Sequence, residues 1–461
     1  MTDKNPVYNS AELEQWDKKY LWHPFTQMKD YCDEKPLIIA RGEGVFLYDT
    51  KGNRYLDGIS SLWVNLHGHG RKEIGQAISR QMEELSHSTL LGLSNVPAIS
   101  LAKKLVEITP EGLNKVFYSD DGSTAVESAL KIAFQYWQQQ TPPHRQKRTF
   151  ISLENAYHGD TLGAVSVGGI DTFHNLYRPL LFSTHRIPSP YCYRCSLGKT
   201  YPSCNLACLK RAEDVIKRCH QEVAALIIEP LVQGAAGMIV APPGYLKGIR
   251  ELCSQYDILL IADEVAVGFG RTGTMFGCEQ ESVVPDLLCV AKGITGGYLP
   301  IAATLTTEDV FNAFLGEYRE RKTFFHGHSY TGNPLGCSAA LASLDIFDRD
   351  RTLESLKDKI GFLTDQLHPF LDLPQVGDVR QKGFMVGIEL VQDKQSKKPF
   401  PLERKMGARV ISEARKRGVI IRPLGDVIVI MPPLSISLDH LEELLEIIFH
   451  SIKEVTSQLE Q

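Results

Sequence analysis

Between about residues 100 and 305, short apolar runs alternate with stretches whose apolar residues recur every three or four positions. The runs at 115–118, 148–152, 224–229, 258–263 and 286–291 have the length and β-branched content of buried strands. Between the first two, Val126, Ala129, Ile132, Ala133 and Trp137 fall on one face of a helix predicted over 124–140. Strand and helix in alternation predict an α/β fold, a mainly parallel sheet flanked by helices. After residue 335 the pattern changes to helices at 335–350 and 351–367, short strands at 383–390 and 427–431, and a final helix at 438–459. This predicts a smaller α/β lobe. The first 75 residues, with a turn at 49–53 between strand-like runs, are assigned to the same lobe, so the large domain is expected at 76–335 and the small one at 1–75 with 336–461. A chain of 461 residues calls for such a division, since single cores stop growing near roughly 250 to 300 residues.

Composition narrows the function classes. Apolar residues are 43% and charged residues 23%, as in ordinary globular proteins rather than disordered or fibrous ones. Fifty Lys and Arg against 55 Asp and Glu leave a formal charge of -5, so neither nucleic acid nor an anionic membrane is an expected partner, and small molecules are. The opening residues lack the cationic and apolar regions of a secretory signal. The apolar runs fall short of the roughly 18 to 20 residues that cross a bilayer. A cytoplasmic location follows as the expectation. Ten unevenly spaced cysteines then read as free thiols.

In open α/β sheets ligands bind outside the carboxyl ends of the strands, so the residues closing the predicted strands are the candidates. At 118–127 a strand runs into a helix start, where Gly122 and Ser123 could seat a phosphate or form a plain cap. At 258–265 an apolar strand ends in Asp263 and Glu264. A buried Asp there needs a cation: a metal, an arginine or a protonated ring nitrogen. Nearby Gly268, Gly270 and Gly273 match the dinucleotide fingerprint on which a nicotinamide-dependent dehydrogenase would rest. The motif lies four residues past the strand, however, and no clean helix follows it. At 286–297 the strand ends in Lys292, beside Gly293, Gly296 and Gly297. A desolvated lysine there is a usable amine for a Schiff base, against the bland alternative of a surface lysine. A strand-edge lysine, a strand-end aspartate and a phosphate-type helix start on one sheet are together what pyridoxal 5'-phosphate requires. Cys192 with Cys195 and Cys204 with Cys208 resemble zinc pairs, as in a zinc-dependent interaction module. Because the second spacing is three residues rather than two, they are read as free thiols, with no metal expected.

With these motifs, the chain resembles over nearly its whole length the class III (subgroup II) aminotransferases, which are fold type I pyridoxal-phosphate transferases. The words LWHPFTQM at 21–28 and DGISSLW at 57–63 resemble the branch that aminates 8-amino-7-oxononanoate in biotin synthesis. The nearest other reading is an ω-amino acid or diamine aminotransferase. The resemblance implies that Lys292 is the Schiff-base lysine, that Asp263 partners the ring nitrogen, that Gly122 and Ser123 cradle the phosphate, and that Tyr157 lies over the ring. It implies that Gly327, His328 and Ser329 reach the site from a neighbouring subunit, hence a homodimer, although relatives commonly carry Pro and Thr where this chain has His328 and Ser329. Arg422 would bind the carboxylate of the keto substrate, and Leu62 and Trp63 would line its tunnel. Phe25 stands where many relatives have a tyrosine that helps recognise the amino donor, so the implied donor is S-adenosylmethionine or lysine. The implied reaction is ping-pong.

Overall fold

The computed structural model describes residues 9–458. Its centre is a seven-stranded sheet made of β1 (Leu113–Ser119), β2 (Thr149–Leu153), β3 (His185–Ile187), β4 (Val223–Ile228), β5 (Leu259–Asp263), β6 (Leu287–Val290) and β7 (Ala302–Thr307), in the spatial order 1-7-6-5-4-2-3. All five strands expected from the apolar runs are present. β7 had no counterpart in the reading of the sequence and is the one antiparallel member, inserted between β1 and β6. Every residue of β4, β5 and β6 is buried, which is why they read as continuous apolar runs and not as alternating ones.

Helix α1 (Gly122–Gln138) covers one face of the sheet with the predicted stripe, and Val126, Ala129, Ile132, Ala133 and Trp137 are all buried. The Trp137 indole also donates to the Ala224 carbonyl of β4 at 2.8 Å, which satisfies the one polar atom on that stripe. The C-terminal helices Pro334–Arg349, Thr352–Leu367 and Leu438–Ser457 and the strands Met385–Leu390 and Val427–Ile430 lie close to their expected positions. Leu459, the expected end of the last helix, lies outside the described residues. Strand Arg54–Asp57 near the amino end pairs in parallel with Val419–Ile420, so N-terminal and C-terminal segments share one small sheet. No helix among the described residues is long and apolar enough to cross a membrane.

Candidate active site

The carboxyl ends of β4, β5 and β6 open onto a cavity of about 430 Å³ whose wall includes Glu229, Asp263, Lys292, Gly122, Ser123 and Tyr157. That size is typical of small-molecule sites. Lys292 stands two residues past the end of β6, and Asp263 is the last residue of β5, in register with Cys289 of β6. The two side chains therefore rise from adjacent strands at one edge. Lys292 has φ of 46°, a left-handed conformation that costs a non-glycine residue of order 1–3 kcal/mol. Its Nζ lies 5.2 Å from the centre of the Trp63 ring. Burial pushes its pKa below the ordinary value, with the Asp263 and Glu229 carboxylates opposing. The amine is thereby brought toward its uncharged, nucleophilic form.

Asp263 is buried, and its Oδ2 meets His158 Nδ1 at 2.7 Å while Oδ1 accepts the Val265 N–H at 3.1 Å. His158 Nε2 and Trp63 Nε1 are buried without a partner among the described residues. Opposite, α1 begins with a capping box in which Asp121 and Thr124 bind each other's backbone N–H groups. The N–H groups of the first turn, at Gly122 and Ser123, remain to face the cavity. Backbone approach is tight here. A Cβ at Gly122 would stand 2.6 Å from Val265 Cγ1, and one at Gly159, whose φ is +122°, would stand 2.1 Å from Ser123 Oγ. An amine, a buried carboxylate and a helix amino terminus thus surround one space. This donor set fits pyridoxal phosphate: an anion seat, a partner for a protonated ring nitrogen, and an amine for the aldehyde.

Tyr157 lines the same space. Its backbone N–H donates to Glu229 Oε1 at 3.2 Å and its hydroxyl to Asp160 Oδ2 at 2.7 Å. Trp63 is in the wall, on a turn where Ser60, Ser61 and Trp63 all have positive φ. The buried Asp57 carboxylate holds that turn by accepting the N–H groups of Ile59 and Ser61. Leu62 departs from expectation. The left-handed backbone on both sides of it turns its side chain outward, 48% exposed and away from the cavity wall.

Arg422 also stands outside that wall, on the strand Arg422–Leu424. Its guanidinium lies 5.9 Å from the Phe25 ring centre, Phe25 packs edge-on against Phe173 at 5.4 Å, and Phe173 against Tyr157 at 6.2 Å. A row of aromatic rings therefore leads from the cavity to a guanidinium that makes no ion pair among the described residues. Gly327, His328 and Ser329 are exposed and outside the same chain's cavity, although His328 Nδ1 meets Asp120 Oδ2 at its rim, 2.7 Å away.

Three contributors went unnoticed in the sequence: His158, Asp57 and Glu229. Glu229 had a usable signal, since it closes the apolar run of β4 as Asp263 closes that of β5. Burial, and then the nearby Asp263 carboxylate, push its pKa up to about 8 from 4.5. A carboxyl whose folded pKa is raised contributes stability below its unfolded value and loses it as pH rises toward the folded one. In cofactor-free protein the Glu229 contribution is thus lost between pH 4.5 and about 8, by up to about 1.4 kcal/mol per pH unit. Urea unfolding at several pH values is expected to give a flatter stability profile over this window for Glu229→Gln than for the parent, and parallel profiles would contradict the assignment.

The Gly268 to Gly273 motif is not a phosphate loop. Arg271 within it is fully buried and donates to the Pro432 and Asn65 carbonyls at 2.7 and 2.8 Å, and a Cβ at Gly270 would strike Leu434. Gly270 and Gly273 serve packing against the C-terminal segment, and Gly268 against the Glu264 carbonyl and Phe276.

Comparison with known proteins agrees with this geometry. Residues 28–452 match the family model described as aminotransferase class-III. The chain is 56% identical to adenosylmethionine-8-amino-7-oxononanoate aminotransferase of Geobacter sulfurreducens, over 98% of this chain and 99% of that one. It is 55% identical to the protein of the same name from Aquifex aeolicus, over 97% and 98% of the two chains. Among solved structures, that of the Methanocaldococcus jannaschii protein of this name superposes with a TM-score of 0.92 at 48% identity, covering 97% of this chain and 99% of that one. An omega-transaminase from Thermomicrobium roseum gives a TM-score of 0.93 at 37% identity, covering 98% and 99%. The chain belongs to the class-III aminotransferase family.

Proposed function

We propose that this chain is a pyridoxal-phosphate aminotransferase that converts 8-amino-7-oxononanoate to 7,8-diaminononanoate in biotin synthesis, acting in the cytoplasm as a homodimer. The observation that carries the reading is the pair Lys292 and Asp263 on adjacent strand ends, with Asp263 fixed by His158. The names borne by relatives at 55–56% identity support the choice of substrate.

When bound, pyridoxal phosphate supplies an aldehyde that captures amines and a pyridine ring that takes up the electrons of a breaking C–H bond. Lys292 Nζ would hold the aldehyde, and as a free amine it would take the proton from the donor carbon and hold it for return. Asp263 would partner the ring nitrogen, with His158 keeping its carboxylate oriented. Gly122 and Ser123 would hold the phosphate, with Gly327, His328 and Ser329 of a second copy reaching toward it across the dimer. Tyr157 and Trp63 wall the space and exclude water. Arg422 receives the far carboxylate of the keto acid, for which a planar guanidinium fork is suited. Donor and acceptor use the same site in turn, which gives ping-pong kinetics.

S-adenosylmethionine is the donor in the names of the relatives, and we assign it here, with lysine as the alternative that Phe25 favours. A tyrosine at this position would add a hydroxyl contact worth roughly 0.5–1.5 kcal/mol. Phe25→Tyr is therefore expected to change the ratio of single-turnover rates for the two donors by about 2- to 10-fold, and an unchanged ratio would remove Phe25 from donor recognition. The substrate assignment is tested by measuring amine consumption across acceptors. 8-Amino-7-oxononanoate is expected to exceed simple ω-keto acids and aldehydes, whereas a preference for the latter would indicate an ω-amino acid or diamine aminotransferase.

A further inference from the structure

Residues 188–206, between β3 and the helix Ala207–Cys219, contain no helix or strand. Loops longer than about 12 to 15 residues without regular structure are uncommon in compact domains and are usually functional or disordered. This one is tied down. Tyr191 and Arg194 both bond to Glu389, and Lys397 Nζ donates to the Tyr193 carbonyl at 2.6 Å. Its own interior is not an apolar cluster but a cavity of about 20 Å³ whose wall includes Cys192, Cys195, Cys204 and Cys208. A space of that size holds one water-sized particle. The three-residue gap in the second pair, which spoke against a metal in the sequence, has a structural account. Asn205 and Leu206 are both left-handed and Cys208 lies in the first turn of the following helix, so the chain folds back and returns Cys208 to the side of Cys204.

We propose that Cys192, Cys195, Cys204 and Cys208 form a closed tetrathiolate zinc site that fastens this insert. Among the described residues no group of three or more such side chains already stands as a metal-binding set, so the thiols must turn inward about their χ1 bonds. Four sulfur ligands with no open position make a structural centre. Binding breaks four S–H bonds, releases the four protons to solvent and forms four Zn–S bonds of about 2.3 Å with no change of oxidation state. The ion would take the place of the apolar core that the insert lacks.

Metal analysis of the full-length enzyme, purified under reducing conditions without chelators, is expected to give about one zinc per chain. The Cys204→Ser, Cys208→Ser double variant is expected to lose it, and Cys32→Ser, which alters an exposed cysteine outside the cluster, to keep it. Should the double variant fail to fold, the parent enzyme stripped of metal and given cobalt(II) is expected to show the intense visible bands of a tetrahedral cobalt thiolate. The proposal is overturned if the parent holds no stoichiometric zinc either as purified or after zinc addition and desalting. Zinc content unchanged in the double variant, or the four cysteines found paired as disulfides in the purified enzyme, would overturn it equally.

Discussion

Lys292→Ala is expected to abolish turnover while leaving the fold intact. Loss of the amine removes both the attachment for the cofactor aldehyde and the group that moves the proton. General acid-base catalysis by a positioned side chain contributes about 10²–10⁴-fold by itself, so the combined loss should fall below detection in a steady-state assay. The visible absorption of the lysine-bound cofactor should disappear with it. Stability should not fall. Burial lowers the pKa of the lysine, so its desolvated amine imposes a local cost on the cofactor-free fold that alanine does not. Thermal unfolding of that form is expected to shift upward for the variant at neutral pH. Retention of both turnover and the absorption band would remove Lys292 from the centre of the reaction.

Arg422→Ala is expected to separate the two half-reactions. The guanidinium makes no ion pair among the described residues, so its removal leaves no buried carboxylate uncompensated, and the fold should tolerate it. What it removes is a charge-assisted contact to the acceptor carboxylate, worth about 1.5–3 kcal/mol. That corresponds to a rise in acceptor KM of about 10- to 100-fold. The donor half-reaction, followed by stopped-flow absorbance in the absence of acceptor, should change little. An unchanged acceptor KM would place the carboxylate elsewhere, and an equal loss in both halves would make Arg422 part of the shared machinery.

Much of this was legible because the sheet is buried. β4 and β6 are apolar throughout and β5 is apolar up to its last residue, so Asp263 and Lys292 stand out as the polar groups that close their runs, at the edge where α/β sheets bind ligands; Glu229 closes the run of β4 in the same way but was passed over. The helix start at Gly122 and Ser123 was legible from its capping residues and the apolar stripe that follows. What escaped were residues whose roles depend on distant partners. His158 is 105 residues from the Asp263 that it orients, and nothing local distinguishes it from any other histidine. Asp57 acts by holding a strained turn, and strain of that kind has no sequence period. β7 escaped because its run, 302–307, mixes Ala and Thr with one Leu, a composition that reads weakly as a strand until both neighbours are in place. Leu62 was assigned to the tunnel by resemblance; it is 48% exposed and outside the cavity wall of this chain, on a turn whose positive-φ residues Ser60, Ser61 and Trp63 no sequence period reveals. Gly327, His328 and Ser329 could be connected to the site by resemblance alone, because their proposed target belongs to another chain.

Borohydride reduction of the enzyme loaded with pyridoxal phosphate, followed by proteolysis and mass mapping, tests the central claim most directly. The pyridoxyl label is expected on Lys292 and on no other lysine, at close to one per chain. A label on a different lysine, or a loaded enzyme that takes up none, would contradict the account.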